Sequence, residues 1–362
     1  MKNFVKSLCK PIQHSVKSSI SLSTIYMYGS PQDRQYGNIL FKTDGSLEGY
    51  VHENEHRWKI DDNQLLFINS AGKVTGRLDY IGSPVWVGKV ENKKFPLSLI
   101  PLLSIESKIN NNFNCSGFLI NTIPKAGTYF LEAVLSALGA SSLRLHLSGN
   151  DIVDDYRGLS DDEIHRDPER VRVKCPLELI TAVLNGNTVV GHIEFLSVLN
   201  KAREQGNIVF NLYRNLRDVL VSLYRFKLKK VKSLGGGDDY WRTVGDENRF
   251  LAFLIFYAER DIAHVKKVAE TILSDRSSLR ISYEDMCAGH LSSETINELE
   301  KIQIGFSGSI ISQMSKLSGS QTPTYSGHRS DWTQYWNSDV EAFFISSGLF
   351  DINKKLGYEK NN

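Results

Sequence analysis

The chain has 362 residues, 41% hydrophobic and 23% charged, enough to bury a sizeable core and more than one average domain uses. Lys and Arg total 43 against 41 Asp and Glu, so no global field draws in nucleic acid and any affinity for anions has to be built locally. Cys9, Cys115, Cys175 and Cys287 lie far apart without zinc or redox spacing, and neither a membrane-length apolar run nor a signal-peptide core is present, so a cytoplasmic protein with reduced thiols is expected.

Residues 1–32 carry Lys2, Lys6, Lys10 and Lys17 and no carboxylate. Phe4, Leu8 and Ile12 recur every four residues, a pattern that suits weak contact of residues 1–20 with an anionic membrane surface, although Pro11 interrupts it. The plainer alternative is a leading segment packed on its own protein. From about Tyr36 to Val90, stretches such as NILFKT, SLEGYVH, QLLFIN and KVTGRLDY alternate apolar with polar residues and are separated by turn residues such as Asp44-Gly45, predicting a small antiparallel β domain over about 33–100. Tyr50, His52, His56, Trp58 and Trp86 fall there; such rings can hold sugars, but in a small meander they more often form the core. Asn92-Lys93-Lys94 and the prolines of FPLSLIPLLS, Pro96 and Pro101, mark a boundary.

From about Phe113 the apolar runs SGFLIN, TVVGHIEFL, NIVFNLYR and LRISY alternate with helical patterns, the arrangement of a parallel sheet flanked by helices in a domain over about 110–362. The longest predicted helix runs from about Arg249 to Leu273. The acid-rich stretch from His146 to Arg170 reads as a loop that is either a solvated surface or an attraction for a cationic acceptor.

FLINTIPKAGTYFLEAVLSALG places a strand, a short loop and an amphipathic helix in succession. The free N–H groups and dipole of the helix start, with Lys125, Gly127 and Thr128, make a site for phosphate or sulfate oxygens. Lys125 precedes Gly127, so the order is not that of the nucleotide triphosphate P-loop. About ninety residues later NIVFNLYRNLRDVLVSLYRF is again a strand running into a helix. Arg214 at its mouth and Ser222 two turns down can reach one phosphate.

Together the two segments resemble the sulfotransferases that use 3'-phosphoadenosine 5'-phosphosulfate (PAPS). PKAGTYF is similar to that family's PKxGTxW loop, and YRNLRDVLVSLYRF to its RNPRDxxVSxYxF motif; the likeness continues through ISYEDM, SGHRSDW and the tail FDINKKLGYEK. It implies a P-loop-like sulfotransferase fold and an enzyme that releases adenosine 3',5'-bisphosphate (PAP) without a metal. It also implies that Lys125, Ala126, Gly127, Thr128, Tyr129 and Phe130 hold the 5' end, Phe130 standing in for the family's Trp as a stacking ring. Arg214, Ser222, Tyr283 and the segment Gly327, His328 and Arg329 serve the rest of the nucleotide on this reading. Arg329 then supplies, from a shifted position, the charge of the family's missing Arg-Lys-Gly.

His192, at the end of a strand-like run, matches the family's catalytic histidine, and Glu194, on the same face, is the reserve base. The resemblance implies an acceptor hydroxyl or amine, expected on a glycan, a glycoconjugate or a small metabolite. A kinase-like nucleotide enzyme and a glycan-binding protein are the rival readings, the first weakened by the absence of a hydroxyl residue beside the lysine.

Overall fold

A computed structural model describes residues 20–31, 34–82, 85–91, 96–105, 113–167, 169–276, 279–303, 305–318 and 332–359. The chain divides into two compact units, residues 1–106 and 107–362.

The N-terminal unit is an eight-stranded sheet of β1 (Thr24–Ser30), β2 (Arg34–Phe41), β3 (Leu47–Gly49), β4 (Arg57–Asp61), β5 (Gln64–Ile68), β6 (Val74–Gly82), β7 (Val85–Val90) and β8 (Pro96–Ser104). Its order is β3-β2-β1-β8-β7-β6-β5-β4, every pair antiparallel. The β4–β5 turn places Asp62 and Asn63 at φ 46° and 63°, the geometry that matches the twist of a tight hairpin. Tyr26, Tyr28, Phe41, Phe67 and Trp86 are fully buried in the core of this sheet. Trp58 packs edge-on against Phe41 at 5.1 Å and donates from Nε1 to the Lys42 carbonyl at 3.1 Å. Trp86 and Trp58 are therefore packing residues.

Two expectations change here. FPLSLIPLLS is not a boundary but the strand β8, in the middle of the sheet between β1 and β7. Proline is accommodated because Pro96 opens the strand, and Pro101 lies where the register with β1 shifts and β7 has already ended. The sheet also starts at Thr24, inside the stretch read as a basic leading segment. Residues 1–19 lie outside the described residues, and with them the suggested amphipathic pattern.

The second unit is built on β9 (Gly117–Thr122), β10 (Ser142–Gly149), β11 (Ile152–Asp155), β12 (Arg172–Lys174), β13 (Thr188–Ile193), β14 (Asn207–Tyr213) and β15 (Leu279–Ser282). The order is β12-β11-β10-β13-β9-β14-β15, with parallel pairing from β10 to β15 and antiparallel pairing at the β11 and β12 edge. The sheet is thus mixed where an all-parallel one was expected. The acidic stretch is the cause: instead of a loop it forms the β10–β11 hairpin and a short helix, α2 below. Its carboxylates pair with arginines and a lysine, Asp154 with Arg172 at 2.9 Å, Asp155 with Arg157 at 2.6 Å and Asp151 with Lys174 at 3.3 Å.

Helices pack around this sheet. Chain order gives α1 (Thr128–Ala137), α2 (Asp161–Arg166), α3 (Leu177–Thr181), α4 (Leu196–Glu204), α5 (Leu216–Lys229), α6 (Gly237–Thr243) and α7 (Asp246–Phe256). There follow α8 (Ala263–Ser274), α9 (Tyr283–Ala288), α10 (Ser293–Ile302), α11 (Phe306–Leu317), α12 (Ser338–Ser346) and α13 (Leu349–Lys355). Phe118, Ile120, Phe210, Leu212 and Ile281 of the strands share one core with Leu131, Val134, Met286 and Ile310. A second core joins α5, α7, α8, α12 and α13 through residues such as Leu220, Phe253, Val265, Phe344 and Leu349. Every residue of β9 is buried, as a strand covered on both faces requires. The helix predicted from Arg249 to Leu273 is α7 and α8 joined by a π-helical turn at Ala258–Ile262. Among the described residues no helix is long and apolar enough to cross a membrane.

Candidate active site

The three strands β13, β9 and β14 end side by side, and each delivers one predicted group. β9 runs through Thr122 into the loop Ile123 to Gly127, and α1 starts at Thr128. Lys125 is held in the left-handed region at φ 69°, and Gly127 follows at φ 96°. A Cβ on Gly127 would lie 2.7 Å from Tyr283 Cδ2 and 2.8 Å from Met286 Cε, so conformation and space both demand glycine. Alternating backbone handedness of this kind curls successive N–H groups into a concave anion nest, and the first N–H groups of α1 have no intrahelical acceptor. Lys125 sits half-buried with its ammonium 4.0 Å above the Phe226 ring. Burial, with the charges of Arg214 and Lys227 nearby, lowers its pKa from 10.5 to about 7.

Arg214 follows β14 and is buried. Its guanidinium stacks 4.2 Å from the Tyr283 ring centre, Nη1 donates to the Lys125 carbonyl at 3.5 Å and Nη2 lies 3.9 Å from Asp218. Its Nε is buried with no hydrogen-bond partner among the described residues. An orphaned buried cationic donor is expensive. This one lies in contact with the anion loop, so a phosphate-type oxygen is the ligand its surroundings fit. Tyr283 starts α9, buried against Gly127, and Ser222 lies half-buried on α5.

The other residues of YRNLRD hold the helix that carries Ser222. Asn215 caps α5 by accepting from Arg217 N at 3.0 Å, and Asn353, fully buried in the tail, accepts from Leu216 N at 2.8 Å. Arg217 bonds Glu341 at 2.9 Å, contacts Glu359, and lies under Trp332, Trp336 and Phe344. These bonds tie the start of α5 to the C-terminal tail.

His192 is the next-to-last residue of β13. Backbone pairing of β13 with β9 stops at Gly191 and Asn121, and side chains take over. His192 Nδ1 lies 2.8 Å from the Thr122 carbonyl and 3.1 Å from Thr122 Oγ1, which is 2.7 Å from Thr128 Oγ1. A carbonyl only accepts, so Nδ1 carries the proton and Nε2 keeps its lone pair. Asn121 Oδ1 accepts from Ile193 N at 2.8 Å, and a buried chain continues through Asn211 at 3.0 Å to Asp275 at 2.9 Å and on to Arg203. Burial first, then the nearby His146 and His264, lower the pKa of His192 well below the usual histidine value.

Sequence reasoning missed two imidazoles. His146 of β10 stands edge-on to His192 with ring centres 4.6 Å apart, and its pKa is lowered to about 4, chiefly by burial. His264 of α8 lies 6.0 Å from His192 on the same measure and is bonded through Nδ1 to Glu194. No local pattern marks either; only the pairing of β10 with β13 and the packing of α8 bring them in. Glu194 itself lies past the end of β13 and is engaged by His264, so it is not a free reserve base.

Phe130 is 8% exposed and packed with Phe118, Leu131 and Tyr283 in the core. Ala126 is fully buried and Tyr129 half-buried on the helix start. Gly327, His328 and Arg329 lie outside the described residues. Among those described, no group of three or more His, Cys, Asp or Glu side chains is arranged to hold a metal ion.

The chain matches no known family model and no curated protein. It is similar to several solved sulfotransferases. Mouse sulfotransferase SULT7A1 complexed with PAP shares 15% identity, covering 67% of this chain and 89% of that one, with a TM-score of 0.40. The sulfotransferase domain of the Synechococcus PCC 7002 olefin synthase shares 10% over 71% of this chain and all of its own, at 0.35. Retinol dehydratase in complex with androsterone and PAP shares 15% over 77% and 92%, at 0.32.

Proposed function

We propose that this chain is a cytoplasmic sulfotransferase that moves a sulfuryl group from PAPS to a hydroxyl or amine of a glycan, glycoconjugate or small-molecule acceptor. The observation that carries the reading is the meeting, at the ends of three adjacent strands, of an anion loop with Lys125, the orphaned guanidinium nitrogen of Arg214 and a neutral imidazole at His192. Ligands of open α/β sheets bind outside the carboxyl ends of the strands, where the order of connection reverses, and β9 is that place here.

PAPS, when bound, supplies the sulfuryl group and a leaving bisphosphate. Lys125 and the amides around Gly127 and Thr128 stabilise charge that grows on the departing oxygen. Arg214, with Ser222 on the next helix, holds the second phosphate. Nε2 of His192 removes the acceptor proton, its tautomer fixed by Thr122.

Calorimetric titration with PAP, PAPS and ATP in the absence of metal tests the reading. Tight binding of both 3'-phosphorylated nucleotides with weak binding of ATP is expected; preference for ATP, or no binding, overturns it.

A further inference from the structure

The carboxylate and imidazole of Glu194 and His264 lie beside His192 and are built as a unit. Glu194 Oε1 bonds His264 Nδ1, Lys267 Nζ lies 3.6 Å from Oε2, and Thr271 Oγ1 donates to the Glu194 carbonyl at 2.7 Å. Two hydrogen bonds and an ion pair thus tie the residue after β13 to α8. A carboxylate accepts only, so the proton of His264 is on Nδ1 and Nε2 is the free atom.

The two imidazoles differ in what surrounds a positive charge. An imidazolium at His192 would lie among Lys125, His146 and His264, with only the neutral Thr122 on Nδ1, and burial with those neighbours favours its neutral form. An imidazolium at His264 would face His192 and His146 across the cleft and Lys267 on its own helix, but it is in direct contact with a carboxylate whose side chain is only 16% exposed. His192 is thus placed to take a proton and poorly placed to keep it.

We propose that Glu194 and His264 form the proton-receiving pair of this site: the proton that His192 removes from the acceptor passes to Nε2 of His264, where the Glu194 carboxylate balances its charge. The proposal rests on the sulfotransferase reading above. One acceptor O–H or N–H bond breaks as the bond to sulfur forms, and the old S–O bond breaks with its electron pair leaving on the bisphosphate. The proton moves to His192 Nε2 and from there to His264, returning His192 to its neutral form. The two ring centres lie 6.0 Å apart. His264 then loses the proton to solvent.

The test is to follow the imidazole resonances of 15N-histidine-labelled protein saturated with PAP as the pH is lowered, with H146Q, H192Q and H264Q supplying the assignments. The first imidazolium to form is expected at His264 while His192 and His146 stay neutral, and E194Q is expected to remove that order. A first charge at His192, or an order unchanged in E194Q, overturns the proposal. H264Q is expected to keep PAP affinity within about twofold while turnover of PAPS to PAP falls on the order of tenfold or more; turnover at the parent rate with PAP bound also overturns it. Failure of the parent chain to bind PAP strikes the sulfotransferase reading instead, and calorimetry reports that before any histidine is titrated.

Discussion

In the N-terminal sheet β4 exposes four of its five residues, whereas β9 in the C-terminal unit exposes none. The first unit buries one carboxylate among its described residues, Glu55, with its oxygens taken by the Tyr28 hydroxyl at 3.1 Å and His52 Nδ1 at 2.9 Å. The second buries Asp154, Asp238, Asp275, Arg214 and Arg217. A sheet with one wet face can send its polar groups to water, but a sheet covered on both faces must satisfy them internally. Arg214 Nε is left without a partner among the described residues, and it is the group to which the proposed function gives a ligand.

Changes in the two units should accordingly separate chemistry from folding. His192→Ala should lower turnover about 10²–10⁴-fold, the usual contribution of a positioned base, with PAP affinity little changed; unchanged turnover in a steady-state assay would remove His192 from the mechanism. Trp86→Ala should destabilise the N-terminal sheet by about 3–5 kcal/mol, seen in denaturant unfolding, without altering PAP affinity of the folded protein. A large loss of affinity there would show that the contrast between the units is drawn too sharply.

Asp238 gives a smaller, pH-dependent effect. Burial alone would raise its pKa, but Leu234 N, the Tyr257 hydroxyl and Trp241 Nε1 donate to it and Arg242 lies beside it, and together they hold it at about 2 against an ordinary 3.8. A depressed folded-state value contributes stability that is complete above about pH 4 and lost as the pH falls toward 2, about 2 kcal/mol in all. Acid unfolding of Asp238→Asn should lack that limb.

Proton linkage at Lys125 is the smallest effect. With its pKa near 7 in the free protein, part of its charge is absent at pH 8, and a bound anion restores it. PAP binding at pH 8 should therefore take up a fraction of a proton, and affinity should fall as the pH rises above 7. Titrations in buffers of different ionisation heat measure this; no uptake would mean that Lys125 does not meet the anion.

The legible parts of the chain were those with local causes. A strand, a loop that needs Gly127 and an amphipathic helix are consecutive in sequence, and so are β14, Arg214 and α5. The strand β8 was hidden because Pro96 and Pro101 look like breakers until a bulge and a vacated neighbour position accommodate them, and β1 because it lies in the carboxylate-free stretch read as a leading segment. His146 and His264 were hidden for a different reason: they are far apart in sequence and meet only through strand register and helix packing.

The π-helical turn at Ala258–Ile262 amounts to one surplus residue between α7 and α8. The helix takes up that residue by widening locally, so the residues beyond it, His264 among them, keep the facing they would have in a continuous α-helix. Deleting the surplus residue should therefore restore regular α-helix and leave the contact of His264 with Glu194 in place, whereas a polar residue at the buried Ile262 of the same turn should not be tolerated.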